Sequence, residues 1–227
     1  MAARRKRSQP KAARRERPPR ARDLAKDRPA HRTAADKGQF QQALAAVARF
    51  LDASGRPTAI IGGVAVIAHG FARFTADIDA CVVADPAEVG DLVQIARRFG
   101  LRPRIKDAQA FARANLVLLL EHAPTKTPVD LSLALQPFEL EATEAAEVVV
   151  FAGVRIRVPS LTALLVYKML AARPQDLNDV VALLGTRSRF ERERVEALLA
   201  EFDALLDTNR LGEFRRLVSD AAHRSRT

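Results

Sequence analysis

Between Ile60 and Val83 the chain reads IIGGVAVIAHGFARFTADIDACVV: an apolar run, a glycine pair, a second apolar run, and then an alternating segment with two aspartates. In a strand, successive side chains point to opposite faces at about 3.3 Å per residue, so residues two apart share a face roughly 7 Å apart. Asp77 and Asp79 therefore point the same way, while Ile78, Ala80 and Val82 give the opposite face its hydrophobic footing. The whole stretch reads as strand, glycine turn, short helix, loop and second strand. The turn at Gly62 and Gly63 carries no side chains and leads into a helix, so its backbone N–H groups can approach a phosphate. Two carboxylates on one strand face beside such a turn point to metal-bound phosphate chemistry.

The remaining pattern places this stretch inside a larger body. Phe40, Leu44, Val47 and Leu51, joined by Ala43 and Phe50, recur at helical spacing over residues 39–53, and Ser54, Gly55 and Pro57 supply the stop. A strand over 58–61 precedes the glycines, a short helix is expected over about 64–70, and 71–76 connects to the Asp77 strand. A helix over 87–99 closes at Gly100. Strands are expected over 114–121 and 127–133, and a hairpin over 148–152 and 154–158 around Gly153. Beyond Pro159 the pattern is wholly helical, over about 161–172, 175–184, 191–206 and 211–223. A mixed sheet flanked by helices and followed by a helical lobe makes the fold class α+β. The division is a tail over 1–38, an α/β core over 39–158 and a helical region over 159–227, with the cleft between core and helices as the place for a ligand.

Charge separates the tail from the body. Of the 227 residues, 48% are hydrophobic, enough for one sizeable core, and the net charge is +10. Residues 1–38 hold 14 Lys and Arg against 4 Asp and Glu, while the remainder holds 23 of each, so the whole excess sits in the tail. A segment this rich in Arg, Ala and Pro is expected to be disordered. It reads either as an arm for RNA or DNA, through counterion release, or as a solvated tail. Cys81 is the lone cysteine, which excludes an intrachain disulfide and suits a reducing compartment. No apolar run approaches a membrane span, and no apolar segment follows the basic start. The expected location is the cytoplasm.

A third carboxylate lies downstream. In the strand over 127–133, Val129, Leu131 and Leu133 share one face and Asp130 faces the other way. Nucleotidyl transfer uses two divalent ions about 3.5–4 Å apart to stabilise the attacking and leaving oxygens, and magnesium takes a few carboxylates together with phosphate and water. Asp77 and Asp79 can hold the ions jointly, and Asp130 can complete a shell or accept the acceptor's proton. Asp130 can alternatively pair with Arg155 or Arg157. Lys168 sits on the apolar stripe of its helix, placed to reach a triphosphate or to pair with Asp176 or Asp179. Arg73 and Thr75, in the loop before the aspartates, are candidates for phosphate or acceptor contact. His69 reads as a helix-end residue and Cys81 as core.

Gly62-Gly63, thirteen residues, Asp77-Ile78-Asp79, and Val129-Asp130-Leu131 downstream together resemble the nucleotidyltransferase superfamily of DNA polymerase β and the minimal nucleotidyltransferases. Within it, Val158-Pro159-Ser160, Lys168 and the run from Arg173 to Asp179 are similar to AbiEii-type proteins of bacterial toxin–antitoxin and phage-defence systems. The likeness covers roughly residues 40–185. One position departs from it: Gly63 stands where a serine is common. The resemblance implies a mixed-sheet catalytic core and transfer of a nucleoside monophosphate from a nucleoside triphosphate such as ATP, dependent on two magnesium ions. Asp77, Asp79 and Asp130 would be ligands and base, with Gly62, Gly63, Arg73, Thr75 and Lys168 around the nucleotide. The acceptor is expected to be an RNA such as a tRNA end, toward which the basic tail points, with a protein hydroxyl or a small molecule such as an aminoglycoside as alternatives, and an antitoxin or other protein as partner. An aminoglycoside-modifying transferase and a non-catalytic nucleotide- or protein-binding member of the fold are the competing expectations.

Overall fold

The computed structural model describes residues 34–186 and 188–224; the arginine-rich segment of residues 1–33, expected to be disordered, lies outside the described residues. Helix α1 (Ala34–Ala53) reaches back into the segment read as tail. It buries Phe40, Ala43, Leu44, Val47 and Phe50 on one side. Its end follows from its sequence: the Ser54 hydroxyl donates to the Leu51 carbonyl, and Gly55 takes φ +66°, the left-handed conformation that a side chain resists.

Five strands form the central sheet, in the order β1 (Thr58–Ile60), β2 (Ile78–Val82), β5 (Thr127–Leu133), β4 (Val117–His122), β3 (Leu101–Pro103). Only β2 and β5 run parallel; the other neighbours are antiparallel. The sheet is thus mixed, as the α+β reading requires. Helix α2 (Gly62–Ala68) links β1 to β2, α3 (Val89–Arg97) packs on β3, and α4 (Ala108–Asn115) packs on β4. The period of two sorts the two faces. Ile78, Ala80, Val129, Leu131, Leu118, Leu120 and Leu101 lie on one face and are buried to within 1% of their surface. The opposite face carries Asp79, Asp130, Leu119 and Val117, and its β4–β5 half stays partly open.

After β5 come α5 (Pro137–Glu144) and a separate hairpin, β6 (Glu147–Phe151) and β7 (Val154–Val158). Because the hairpin is a sheet of its own, Arg155 and Arg157 lie on no strand beside Asp130, and neither is its ion-pair partner. Helices α6 (Leu161–Ala171), α7 (Pro174–Leu184), α8 (Arg192–Leu206) and α9 (Arg210–Arg224) follow among the described residues. One hydrophobic cluster runs from Phe40 through the sheet to Leu164, Val195 and Phe214, so these helices share the core of the sheet. Among the described residues no helix is long and apolar enough to cross a membrane.

Several elements differ from the sequence reading. The short helix starts at Gly62 itself, so the glycine pair forms its first turn. Asp77 stands one residue before β2. The strand expected from residue 114 begins at Val117, because α4 continues to Asn115 and Leu116 reverses the chain with φ 56°. Helix α4 buries Ala108 and Ala112, residues too small to advertise a helical period. Helix α5 opens with Pro137 and Glu139, whose carboxylate accepts from the backbone N–H groups of Leu135 and Gln136. Edge strand β3 is three residues long and contains Pro103. We expect Leu131→Ala, at the centre of the sealed face, to cost about 3 kcal/mol. Urea unfolding would show this as a lower midpoint at unchanged slope.

Candidate active site

Asp79 and Asp130 are direct partners in the parallel β2–β5 pair, on the open face of the sheet. Asp77 precedes β2 and repels both electrostatically. Burial, then the charges of Asp77 and Asp130, push the Asp79 carboxyl up to about 6; Lys168 and Arg173 pull the other way. Burial likewise raises Asp130, and the Arg104 guanidinium opposes it. The three carboxylates singled out by sequence are therefore close enough to interact electrostatically. Cys81, further along the same face, is buried as expected against Thr143 and Tyr167, and burial pushes its thiol up to about 11.

The glycine pair packs directly against this cluster. The Asp79 carbonyl accepts from the Ile61 N–H at 2.9 Å, which fixes the start of α2 beside β2. Gly62 has φ +59°, and a Cβ there would overlap the Asp79 carboxylate. A Cβ on Gly63 would stand 2.5 Å from Thr75 Oγ1, 2.8 Å from Thr75 Cβ and 2.9 Å from Arg73 Nη2. Both positions are glycine because the acidic strand and its preceding loop come this close. Thr75 is buried, and its hydroxyl, which also lies 3.2 Å from the Asp77 carbonyl, donates to Asp77 Oδ1 at 3.0 Å.

Behind the cluster lies a buried ionic network. Lys168 Nζ is 2.9 Å from Asp176 Oδ1 and 2.8 Å from Asp179 Oδ2, with all three side chains at most 7% exposed. Arg73 joins from the loop before β2: its Nη2 donates to Asp179 Oδ2 at 3.2 Å, and its Nη1 donates to the Phe74 carbonyl. Asp176 also accepts from the backbone N–H and Nε of Arg173, closing the first turn of α7. The Lys168 pairing anticipated with Asp176 or Asp179 thus involves both. Ser160 caps α6 by accepting from the Ala163 N–H. His69, at the end of α2, lies with its Nε2 2.9 Å from the Pro159 carbonyl oxygen. The segments from Val158 to Ser160 and from Arg173 to Asp179 therefore clamp α6 and α7 onto the loop carrying Arg73 and Thr75.

Two arginines stand at the site without having been expected there: Arg104, which no motif contained, and Arg173, known from sequence only as the start of the run to Asp179. Arg104, just past β3, donates through Nη2 to Asp130 Oδ1. Its backbone N–H donates to the Leu119 carbonyl, extending the β3–β4 ladder by one residue. The alternation of Leu101 and Pro103 against Arg102 and Arg104 was the available signal, hidden in a strand too short to recognise. Arg173 interacts electrostatically with both Asp77 and Asp79. Two hollows of about 410 and 350 Å³ open elsewhere, by α1 and β1, and are lined by Leu51, Thr58 and Arg157 but by none of the three aspartates.

Among the described residues no three His, Cys, Asp or Glu side chains are grouped so that they could hold a metal ion. Magnesium does not require such a group, since it is usually held by one or two carboxylates together with substrate phosphates and water. Burial first, and then repulsion from Asp77 and Asp130, raises the Asp79 carboxyl, and a bound cation would relieve that repulsion. Asp79 with Asp77 or Asp130 is the donor set that fits it.

The sheet order, the parallel β2–β5 pair and the carboxylates opposite a glycine-started helix can be set beside known structures. The solution structure of the antibiotic-resistance factor ANT(2'')-Ia aligns with 75% of this chain and 92% of its own, at TM-score 0.50 and 20% identity. The fold is that of the nucleotidyltransferases. Crystalline ANT(2")-Ia in complex with adenylyl-2"-tobramycin aligns at TM-score 0.49 and 22% identity, over 76% of this chain and 98% of that one. An antigenic nucleotidyltransferase-like protein from Paracoccidioides brasiliensis aligns at 0.47 and 16%, over 78% and 91%. No protein-family model and no curated protein matches the sequence.

Two outcomes follow for this site. Gly63→Ser must displace Thr75 and Arg73, so we expect a loss of about 1–3 kcal/mol in stability. Combined with Thr75→Gly its cost should be less than the sum of the two single costs, and strict additivity in urea unfolding would refute the contact. The second outcome concerns pH. Asp79 titrates near 6 folded and near 3.8 as an unperturbed carboxyl. Between these values the folded chain holds more protons, so its stability falls as pH rises through that window. In divalent-free buffer, Asp79→Asn should therefore match the wild type near pH 4. It should exceed it at pH 8 by on the order of 1–3 kcal/mol, read as a higher melting temperature.

Proposed function

We propose that this protein is a magnesium-dependent nucleotidyltransferase that moves a nucleoside monophosphate from a nucleoside triphosphate to an acceptor hydroxyl, with RNA as the acceptor. The observation that carries this reading is the registration of Asp79 against Asp130 across β2 and β5, beside the helix that Gly62 starts. In the reaction the acceptor oxygen bonds to the α-phosphorus, the bond from that phosphorus to the pyrophosphate oxygen breaks, and the acceptor proton leaves. Bound magnesium would supply charge stabilisation of the attacking and leaving oxygens.

The chain's own residues divide the remaining work. Asp77, Asp79 and Asp130 would share the metal, and Asp130 would take the acceptor proton, its carboxyl raised by burial and opposed by the Arg104 guanidinium. Gly62 and Gly63 let the acidic strand and α2 meet, leaving backbone rather than side chains against the triphosphate. Thr75 orients Asp77 through its hydroxyl. Lys168 and Arg73 hold the loop by way of Asp179, and Lys168 also lends its charge to Asp79. The resemblance of the Arg173–Asp179 segment to AbiEii-type proteins extends the proposal to a two-gene toxin–antitoxin or defence module acting in the cytoplasm.

The test is a labelling assay with purified protein, magnesium, each α-labelled nucleoside triphosphate in turn, and total RNA or lysate as acceptor. Label on RNA that disappears with Asp79→Ala supports the proposal, at a loss of at least about 100-fold, as for removal of an electrostatic catalytic group. If no triphosphate gives label and neither Mg-ATP nor Mg-GTP raises the melting temperature, the enzymatic reading fails.

A further inference from the structure

The open face of the sheet has a direction. On one side of Asp79 lie the Ile61–Gly63 backbone and α2; on the other lie Asp130, then Leu119 of β4, then Arg104 beyond β3. In an in-line displacement the attacking and leaving oxygens stand on opposite sides of phosphorus. With the triphosphate on the glycine side, the acceptor arrives over β5, β4 and β3.

That floor has a definite chemistry. Val117, Leu119 and Pro128 are half-buried on it. Its carboxylates are already matched: Arg104 pairs with Asp130, and Arg102 pairs with Glu121 at 2.7 Å. Arg104 reaches across the full width of β4 to do so, with its side chain still 27% exposed. A polycationic acceptor would find no unmatched carboxylate in these two pairs and would meet two guanidinium groups. An acceptor with an apolar base or sugar face and a phosphate near its reacting hydroxyl meets the half-buried floor and a cation at its far end.

Resting on the transferase reading above, we propose that Arg104 is the acceptor-recognition residue: it holds Asp130 in the free protein and transfers its guanidinium to the phosphate adjoining the reacting hydroxyl of an RNA end. The exchange trades one anion for another at a planar, bidentate donor. It releases the Asp130 carboxylate for the acceptor when the correct end is seated. An end that lacks the phosphate leaves Asp130 capped, so selection and activation use the same side chain.

The experiment is a binding cycle. Its probes are a fluorescein-labelled single-stranded RNA ending in CCA with a free 3′ hydroxyl, and a twin whose last internucleotide linkage is a neutral methylphosphonate. Anisotropy is read in magnesium over a salt series, and Mg-ATP binding by the wild type is read separately by melting temperature. Arg104→Gln should weaken binding of the charged RNA by about 10-fold or more, and should flatten the slope of log affinity against log salt by about 0.7. It should bind both probes alike, whereas the wild type and Arg104→Lys should both prefer the charged one. Effects of substitution and neutral linkage that simply add would overturn the assignment, as would absence of RNA binding by a wild type that binds Mg-ATP. So would efficient labelling of tobramycin in preference to RNA. A wild type that binds no Mg-ATP and transfers no label would instead remove the transferase reading on which the assignment rests.

Discussion

Three carboxylates that repel one another are the constraint around which the rest of this chain is arranged. Asp77, Asp79 and Asp130 come together because β2 and β5 run parallel in the one register that sets Asp79 opposite Asp130. Nothing in the packing of the sealed face demands aspartate there, since Val129 and Leu131 would hold the register alone. The surroundings answer the repulsion unevenly. Asp77 receives the Thr75 hydroxyl and Asp130 receives Arg104. Asp79 feels the countercharges of Lys168 and Arg173, yet burial and repulsion outweigh them and its proton affinity rises. The middle carboxylate is thus the least compensated of the three, and it sits where β2 meets the glycine-started helix.

The second dependency is the network of Lys168, Asp176, Asp179 and Arg73. Burying ions is unfavourable in itself, and a buried pair often stabilises less than apolar residues of the same volume would. Its value here is positional. Lys168 comes from α6, the two aspartates from α7, and Arg73 from the loop before β2. Four charges with matched partners can meet in one arrangement of these three segments, whereas an apolar contact would tolerate sliding. Removing one member leaves an uncompensated buried charge, a loss of roughly 3–5 kcal/mol. The loop that holds Thr75, and through it Asp77, is therefore anchored from the far side of the molecule.

Legibility in the sequence followed the size of the side chains that mark each period. Strands β2 and β5 and the four final helices carry Leu, Val, Ile or Phe among their buried positions, and their spacing predicted them closely, while α1 was predicted from 39 and begins at Ala34. Asp77, Asp79 and Asp130 were legible because each interrupts an alternating apolar pattern. Helix α4 was not, because Ala108 and Ala112 make its buried side. Strand β3 was not, because three residues show barely one period. Missing β3 meant missing Arg104, and with it the partner of Asp130, which no local spacing connects across 26 positions. Arg73 and Lys168 were marked by sequence, but their convergence on Asp179 depends on tertiary packing that a helical wheel does not contain.

The glycine at position 63 shows how a side chain twelve positions away fixes the size of a residue. A serine there would carry its hydroxyl into the volume between α2 and the acidic strand. In this protein that volume holds the Thr75 side chain, whose oxygen lies 2.5 Å from where the Cβ of residue 63 would be. Contacts that short are repulsive, so a side chain at 63 and threonine at 75 exclude one another in this backbone arrangement. The hydroxyl at this point is therefore supplied by the loop, from Thr75. From there it donates to Asp77. One consequence is structural: the loop becomes part of the carboxylate cluster rather than a cover over it. The other is chemical: the network of Lys168, Asp179 and Arg73, which fixes that loop, gains a route to the acidic site that passes through one hydrogen bond.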